Sequence, residues 1–541
     1  MTGRSRAWFV AGLAAVAFAL AFWAVGEVDP HYYYTVAVRS MSTSWHDFLY
    51  GAYDPAGSIT VDKIPGALWV QALFVRVLGF HPWVVLLPQA LALAGTVPVL
   101  YDAVRRWAGT RAGLIAAVAF TLTPISVVLA RVNIPDTVLV LLLVCAANAA
   151  TRAVTDGRWR PLLLAGVWVG LAFQVKMAQA FLVLPGLFGA FLLSGHGTLL
   201  ARLGRTAVST VVTLAVSGTW VLLVALTPAS ARPYVDGSTH NSVWEMVFVY
   251  NGFGRLLHGD APSGQLASML MDFDGPPGLG RVFGPEVGWL LPVALIALAY
   301  GLVRGGRAER PGWVLWGSWL VLHAAAFCLA SGIHPYYTAA LAPAVAALAG
   351  AGLSRLPSPR WAVVATVVVL AIPGGLAVTA SAKPITGLDG INPVVGQTVA
   401  LPAAGMATMH GLPADAKMPP GLGDMHMLTP NQPLLDYVRS HHGSEQYLLA
   451  VPTANTASPY LAVGESVLPM GGFTGAAPFP STAELASLVD TGRLRYVMVG
   501  GFHGMMGGPV AQEREQWVTA HCKPVDYPAP PGPPERLYDC G

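Results

Sequence analysis

The sequence has little charge and few cysteines. Its 541 residues include 31 Lys and Arg and 28 Asp and Glu, together 11%. Soluble domains carry about 25% charged residues, so an ordinary cytosolic enzyme and a disordered chain are both excluded. The net charge of +3 gives no broad basic field for binding a nucleic acid. Four cysteines in a chain of this length exclude a disulfide-based scaffold.

What the chain has instead is apolar length. Hydrophobic residues make up 54% of it, and the mean hydropathy is +0.55. A helix needs about 20 apolar residues to cross a bilayer, because its backbone polar groups must be satisfied internally. We therefore predict a polytopic α-helical membrane protein with about 11 transmembrane helices. The expected spans lie at roughly 8–26, 82–101, 111–129, 136–152, 161–175, 178–194, 207–227, 286–303, 312–330, 337–353 and 361–380.

The charges between the spans predict the orientation. With a cytoplasmic N-terminus, the short cytoplasmic segments carry about twice as many Arg and Lys as the longer outer loops. The first span resembles a signal peptide, but Phe22-Trp23-Ala24 is a poor small-residue cleavage site, so we expect this span to be retained. An odd number of spans then places the C-terminal tail outside the plasma membrane.

The domain boundaries follow from composition. Residues 1–380 are predicted to form the transmembrane domain, with a first outer loop at 27–80 and a large outer loop at 228–285. Residues 381–432 are rich in Gly, Pro and Met and are predicted to be a linker. Residues 433–541 are predicted to form a small exported α/β domain.

Short patterns within the tail predict its elements. QPLLDYVRSHH, the Ser-capped SPYLAVG and STAELASLVDTG suit helices, whereas YLLAVP and RLRYVMVGG suit strands. Cys522 and Cys540 lie in this exported tail, where disulfides persist, and we expect them to form a bridge. Cys145 and Cys328 fall within spans and are expected to be packing residues.

Ionisable and aromatic residues gather at the outer ends of the spans, and each ionisable residue at membrane depth is a functional candidate. They occur directly after the first span, in the first outer loop and in the turns ARVNIPD, FQVKMAQA and HPYYT. We predict that these turns form one pocket. Its expected members are Asp29, Tyr33, Asp62, Lys63, Arg131, Asp136, Lys176, His334, Tyr336 and Tyr337.

The residue types in this pocket suggest two kinds of chemistry. The carboxylates of Asp29, Asp62 and Asp136 suit removal of a proton from an attacking hydroxyl. The cations and donors suit a lipid-linked phosphate at the membrane surface; these are Lys63, Lys176, Arg131 and His334. Tyr33, Tyr336 and Tyr337 are expected to line the substrate pocket.

Each candidate also has a structural interpretation. Asp29 resembles a helix cap, and Lys63 next to Asp62 could be an exposed pair of little energetic value. Arg131 could extend to the lipid–water interface. Lys176 could occupy a simple short turn, and His334 could be a packed interfacial residue.

A set of motifs in order resembles the bacterial branch of glycosyltransferase family 39. They are the acid after the first span, DPAGSITVDKIPGALWVQAL, ARVNIPD, VGLAFQVKMAQAFLVLP, TPASARPYVDGSTHNSVWEMVFVYNGFGRL and HPYYT. This family includes protein O-mannosyltransferase-like enzymes and the lipid A aminoarabinose transferase, and it has the GT-C fold. The resemblance covers about residues 8–380.

The resemblance implies an activity and a set of roles. Such enzymes pass a sugar from a polyprenyl-phosphate carrier to a hydroxyl of a glycan, lipid or protein outside the membrane, usually with inversion. The family's first-loop acid corresponds to Asp29, the expected general base, and its second-loop acid to Asp136. The acidic-Lys-Pro pattern corresponds to Asp62-Lys63-Ile64-Pro65, with Ile64 as a departure. Family members differ in whether a divalent cation joins the carboxylates, so a Mg²⁺ or Mn²⁺ ion held by Asp29 and Asp136 stays open as the one candidate cofactor.

Two other functions stay open at this point. A flippase or transporter of lipid-linked sugars would also span the membrane, but transporters usually have internal repeats and polar residues at mid-membrane depth. A polymer ligase that uses a diphosphate-linked donor belongs to a different transferase class.

Overall fold

The computed structural model describes most of the chain. The described residues are 2–28, 30–253, 278–284, 287–330, 334–356, 430–500, 507–527 and 535–541. The predicted general base Asp29, the predicted span 361–380 and nearly all of the predicted linker 381–432 lie outside them. By compactness the chain divides into two units. The first comprises 1–30, 86–219 and 276–424, and the second comprises 31–85, 220–275 and 425–541.

Within the described ranges, seven helical stretches are long and apolar enough, by length and composition, to cross a membrane. The helices Thr110–Thr121 and Pro124–Ala130 meet at a bend of 56°, and if they form one span the number of candidate spans in these ranges rises to eight. The predicted multi-pass helical architecture is confirmed, while the count of about 11 stays a prediction. The seven are Gly3–Phe22, Pro82–Ala108, Asp136–Thr155, Arg160–Leu192, Leu199–Leu226, Arg310–Leu329 and Tyr336–Leu353.

The stretch Arg160–Leu192 is a hairpin. A straight helix would separate Leu162 from Phe191 by about 44 Å, yet both pack in one cluster with Ala153. The reversal occurs at Met177, whose φ of 48° lies in a region that non-glycine residues rarely adopt. Helix Arg160–Lys176 therefore ends there, and 3₁₀-helix Met177–Val183 and helix Leu184–Leu192 lead back. This places Lys176 at the turn, as the sequence predicts.

One face of helix Arg160–Lys176 fixes it against helix Leu199–Leu226. A Cβ on Gly166 would lie 2.7 Å from the Ser209 carbonyl oxygen, and one on Gly170 would lie 2.6 Å from the Val216 Cβ. Small residues at this spacing allow close approach of membrane helices. One turn further on, the Gln174 Nε2 donates to the Val216 carbonyl at 2.8 Å. The helix that carries Lys176 is thus held in a fixed position.

The remaining helices of the first unit are shorter or pack against these spans. Leu291–Arg304, at the position of the predicted span 286–303, has 14 residues, and Ala342–Leu353 forms the end of the last span described.

The second unit contains the first outer loop and the tail. The outer loop forms three short helices, Tyr32–Thr43, Trp45–Tyr50 and Gly66–Leu78. Between the last two helices, Ile59 pairs in parallel with Tyr234. A helical stretch at Glu245–Phe253 follows in the large outer loop.

The tail forms a small α/β domain, which confirms the predicted fold class. Its strands are β1 Leu449–Val451, β2 Val467–Pro469, β3 Tyr496–Gly500, β4 Lys523–Val525 and β5 Glu535–Asp539. They form one five-stranded sheet of order β2-β1-β3-β5-β4, in which β5 runs antiparallel to the other four strands. The helices are Gln432–Ser440, Ala454–Ala462, Thr482–Asp490 and Gly508–His521. Cys522 and Cys540 form a disulfide between Cα atoms 4.4 Å apart.

Candidate active site

Arg131 forms hydrogen bonds with the end of the first helix, shortly before Asp29. This side chain is 1% exposed, and its Nη1 donates to the carbonyls of Leu20 at 3.2 Å and Trp23 at 2.6 Å. These carbonyls belong to the end of helix Gly3–Phe22, which has no further helical partner for them. Arg131 is therefore buried in the protein and not extended to the lipid surface. Its predicted contact with phosphate stays a prediction.

In the first unit, Asp136 and Lys176 form a buried ion pair. Asp136 is the first residue of helix Asp136–Thr155, where the helix dipole favours a carboxylate. Its Oδ1 lies 2.6 Å from the Lys176 Nζ, and the two side chains are 1% and 13% exposed. The Asp136 Oδ2 is buried and has no hydrogen-bond partner in the described part of the chain. Two turns that are 40 residues apart in the chain thus meet at this pair.

The turn HPYYT surrounds the same lysine with aromatic rings. The Lys176 Nζ lies 3.4 Å from the Tyr337 ring centroid and 5.7 Å from that of Tyr336. His334 stacks on Tyr336 with centroids 5.0 Å apart and meets Tyr337 edge-on at 5.7 Å. A cation over aromatic faces is stabilised electrostatically, the more so when it is desolvated. The structure therefore brings together five predicted site residues in the first unit: Asp136, Lys176, His334, Tyr336 and Tyr337.

In the second unit, Asp62 and Lys63 form a comparable pair. The Lys63 Nζ lies 3.1 Å from the Asp62 Oδ1 and donates to the Tyr34 hydroxyl at 2.7 Å. The Asp62 side chain is 3% exposed and that of Lys63 is 18% exposed. The alternative of an exposed pair is therefore wrong, because burial makes this interaction much less screened by water.

Several side chains hold Asp62 in place. The Asp62 N–H donates to the Tyr33 hydroxyl at 3.1 Å, and Tyr33 is itself 1% exposed. The Tyr250 hydroxyl donates to the Asp62 Oδ2 at 3.3 Å, and the Asn251 Nδ2 donates to the Asp62 carbonyl at 2.7 Å. Tyr33 thus supports the backbone next to Lys63, and its predicted contact with substrate stays a prediction.

A buried carboxylate that we did not predict from the sequence lies near this pair. Asp236 is 2% exposed and accepts the N–H groups of Gly237 at 2.7 Å and Phe473 at 2.8 Å. Burial, followed by the nearby Asp62 carboxylate, raises the pKa of Asp236 to about 7. Tyr34, Tyr250 and Asn251 were also missed. These three residues lie in or near the family motifs. Nothing in the sequence around them indicates that they contact Asp62 or Lys63.

A second buried carboxylate, Asp54, shapes the outer loop. Its oxygens accept the backbone N–H groups of Ala56 and Ser58 at 3.1 Å each and the Ser58 hydroxyl at 2.6 Å. Burial raises its pKa to about 6. Asp54 therefore stabilises the turn that leads to Asp62.

These two carboxyl groups give the second unit a pH-dependent stability. Because the folded-state pKa of each lies above the unfolded value of about 4, the folded state binds protons more tightly. The contribution of these two groups to the free energy of unfolding is expected to be highest below about pH 4 and to fall until about pH 7. Asp236→Asn should remove most of the fall due to Asp236 and be more stable than the unmodified protein at pH 8 by on the order of 2 kcal/mol. Thermal denaturation in detergent from pH 4 to pH 8 measures this.

The control for this prediction is Asp490→Asn, which changes an exposed carboxyl of the tail. It should leave the pH dependence as it is. An Asp236→Asn curve that runs parallel to that of the unmodified protein over the whole range would refute the assignment.

The described residues contain no cluster of metal ligands. No group of three or more His, Cys, Asp or Glu side chains suited to a metal ion occurs among the described residues. One oxygen of Asp136 is bound to Lys176, and Asp29 lies outside the described part. A divalent cation held by Asp29 and Asp136 therefore stays a prediction.

Comparisons with known proteins identify the family. Residues 62–222 match the family described as "Dolichyl-phosphate-mannose-protein mannosyltransferase", and residues 434–521 match "Putative mannosyltransferase YkcB-like, C-terminal". "Putative mannosyltransferase YycA" of Bacillus subtilis (strain 168) is 30% identical over 92% of each chain. The chain belongs to the GT-C family of membrane glycosyltransferases. "Putative mannosyltransferase YkcB" of the same organism is 28% identical over 93% of this glycosyltransferase and 89% of its own length.

Solved structures share the fold of this glycosyltransferase. ArnT from Cupriavidus metallidurans, bound to undecaprenyl phosphate, has a TM-score of 0.58 and 16% identity over 98% of both chains. AglB from Archaeoglobus fulgidus, in complex with an inhibitory peptide and a dolichol-phosphate, has a TM-score of 0.56 and 14% identity. That match covers 98% of this chain and 74% of AglB. The expected GT-C fold is thereby confirmed.

Proposed function

We propose that this membrane glycosyltransferase transfers mannose from a polyprenyl-phosphate carrier to a hydroxyl acceptor outside the plasma membrane, with inversion. One observation carries the proposal. In a chain with only 11% charged residues, two lysines at predicted outer turns are each paired with a buried aspartate and in contact with a tyrosine. The names of the relatives support mannose as the sugar. The undecaprenyl phosphate in ArnT and the dolichol-phosphate in AglB support a lipid-phosphate carrier.

The lysines are suited to the phosphate of the carrier. When the bond between sugar and phosphate breaks, negative charge grows on the phosphate oxygens, and fixed positive groups stabilise that charge. Lys63 and Lys176 are partly buried, at 18% and 13% exposure, so their fields are less screened than those of surface lysines. Their aspartate and tyrosine partners restrict where each ammonium lies, which reduces the cost of ordering it when a ligand binds.

The carboxylates divide into two roles in this proposal. Asp62 and Asp136 orient the two lysines, since each forms an ion pair with one of them. Each of these two carboxylates is thus already engaged by an ammonium group. We therefore assign the general base to Asp29, which would remove the proton of the acceptor hydroxyl as it attacks the sugar.

The proposed orientation puts this chemistry outside the membrane. It rests on the excess of arginine in the short segments on the N-terminal side. The expected disulfide Cys522–Cys540, which the structure contains, supports an exported tail, since such bonds persist in oxidising compartments.

Lys63→Ala tests the assignment of the phosphate site. It should weaken binding of undecaprenyl phosphate about 10- to 100-fold, the usual loss for one hydrogen bond to a charged group. Lys63→Arg keeps the charge and should lose less. Equilibrium titration of the purified protein in detergent measures the affinity.

The matched control is Lys523→Ala, which removes the same charge from an exposed strand of the tail. Its affinity should equal that of the unmodified protein. If Lys63→Ala binds the lipid phosphate as tightly as Lys523→Ala, Lys63 is not a ligand of the phosphate.

A further inference from the structure

The loop after strand β2 is held rigidly by the tail itself. This docking loop comprises residues 470–480. The buried Arg514 donates to the carbonyls of Ala477 at 3.2 Å and Phe479 at 3.0 Å. Within the loop, the Gly471 N–H donates to the Phe479 carbonyl at 2.7 Å. The docking loop is therefore supported by hydrogen bonds from within the tail, independently of its contacts outside the tail.

Phe473, near the tip of the docking loop, contacts two residues of the outer loops. Its N–H donates to the Asp236 Oδ2 at 2.8 Å. Its ring meets the Tyr33 ring edge-on with centroids 4.7 Å apart. Both partners are nearly fully buried, so these contacts are part of the core of the second unit.

The same two partners support the segment that carries Asp62 and Lys63. The Tyr33 hydroxyl accepts the Asp62 N–H at 3.1 Å. The Asp236 N–H donates to the Thr60 Oγ1 at 3.1 Å, two residues before Asp62. Phe473 is therefore connected to Asp62 through two separate routes, one by an aromatic contact and one by hydrogen bonds.

The tail uses the edge of its sheet that usually binds ligands. In open α/β sheets, ligands bind beyond the carboxyl ends of the strands. Here the residues after β1 bind the outer loop, since the Tyr53 hydroxyl donates to the Ala454 carbonyl at 2.8 Å. The residues after β2 form the docking loop. The carboxyl ends of these two strands thus serve to attach the tail to the outer loops.

We propose that Phe473 is a positioning residue for the donor-phosphate site, through which the docked exported domain fixes the Asp62–Lys63 pair. This inference rests on the proposed function of Lys63. The tail then acts on the donor side of the reaction. When Phe473 no longer contacts Tyr33 and Asp236, the Lys63 ammonium can move away from the phosphate.

Phe473→Ala tests the aromatic route. The affinity for undecaprenyl phosphate and the KM for the lipid-linked donor should each worsen about tenfold, the effect of about 1.4 kcal/mol, while the KM for the acceptor stays the same. Phe473→Tyr keeps the ring and should restore both values. Trp517→Ala is the control, because Trp517 packs at the edge of the tail's own core. It should leave the donor affinity unchanged.

Gly472→Ala tests the hydrogen-bonded route. Gly472 has a φ of 64°, and a Cβ there would overlap the Asp236 carboxylate. Gly492 in the same domain has a φ of 66°, and a Cβ there would meet no atom within 4 Å. Both substitutions place Ala at nearly the same positive φ, so a loss of donor affinity in Gly472→Ala alone reports the contact with Asp236.

The outcomes separate this inference from the proposed function. Weaker donor binding in Phe473→Ala and Gly472→Ala, with Trp517→Ala and Gly492→Ala unchanged, supports it. If Lys63→Ala loses affinity while both docking-loop variants retain it, the inference is overturned and the phosphate site stands. A raised acceptor KM with an unchanged donor KM in Phe473→Ala would likewise overturn it, since the tail would then act on the acceptor. If Lys63→Ala also retains affinity, the proposed function fails first.

Discussion

Asp29→Asn is expected to lower the rate of sugar transfer by roughly 10²–10⁴-fold, the contribution of one positioned general base. The amide has nearly the same shape as the carboxylate but cannot accept the proton of the acceptor hydroxyl. Binding of undecaprenyl phosphate should stay close to that of the unmodified protein, since the phosphate is assigned to Lys63 and Lys176. Single-turnover transfer with saturating donor, combined with a lipid-phosphate titration, measures both quantities.

Glu27→Gln is the matched control, because Glu27 is the other acid in the segment after the first helix. It should transfer sugar at a rate near that of the unmodified protein. Normal transfer by Asp29→Asn would exclude Asp29 as the base. A loss in Glu27→Gln alone would move that role to Glu27.

Lys176→Met is expected to destabilise the protein by about 3–5 kcal/mol, because it leaves a buried carboxylate without its counter-ion. Asp136 is 1% exposed, and its Oδ1 is 2.6 Å from the ammonium that the substitution removes. The double variant Asp136→Asn/Lys176→Met should recover most of this stability, since neither charge is then buried. It should not recover transfer, because the positive charge proposed to act on the phosphate is absent. Denaturation and transfer assays on the four proteins of this cycle give both results.

Arg439→Met is the control for this cycle. Arg439 forms an ion pair with Glu465 on the tail, where its side chain is 45% exposed. Loss of such a pair usually costs less than about 1 kcal/mol. If the double variant is as unstable as Lys176→Met, packing of the lysine stem and not its charge stabilises the site. If the double variant transfers sugar normally, Lys176 has no role in catalysis.

Signals confined to a few residues predicted much of this fold. Long apolar runs predicted the spans, and a single lysine within one such run predicted the turn at Lys176. Ser481 and Glu484 form the capping box expected at the start of a helix, and that helix begins at Thr482. In each case the signal lies within the element that it predicts.

One local signal was misleading. Ser458-Pro459 resembles a helix start, because serine caps helices and proline favours the first turn. The helix instead begins at Ala454 with Thr453 as its cap, and Ser458 lies inside it. The Ser458 hydroxyl donates to the Ala454 carbonyl at 3.0 Å and lies 2.7 Å from the Tyr53 hydroxyl. A contact with a residue 405 positions away is thus part of what holds this serine.

The supporting residues of the site could not be predicted for the same reason. Asp236 bonds to Thr60 and to Phe473, which are 176 and 237 positions away in the chain. No periodicity or motif connects such residues, since only the tertiary fold brings them together. Sequence reasoning found the paired charges Asp62–Lys63 and the turns that carry Asp136 and Lys176. It did not find the tyrosines and the buried aspartate that hold the first pair in place.

The most direct test is a transfer assay with a labelled donor. Purified protein in detergent would be incubated with polyprenyl-phosphate mannose, labelled in the sugar, and with a mixture of glycan, lipid and peptide acceptors. The proposed function predicts that labelled acceptor and free polyprenyl phosphate appear in equal amounts, and that Lys63→Ala and Asp29→Asn produce neither at the normal rate. Transfer only from a diphosphate-linked donor, or movement of the intact donor across reconstituted vesicles without transfer, would contradict it.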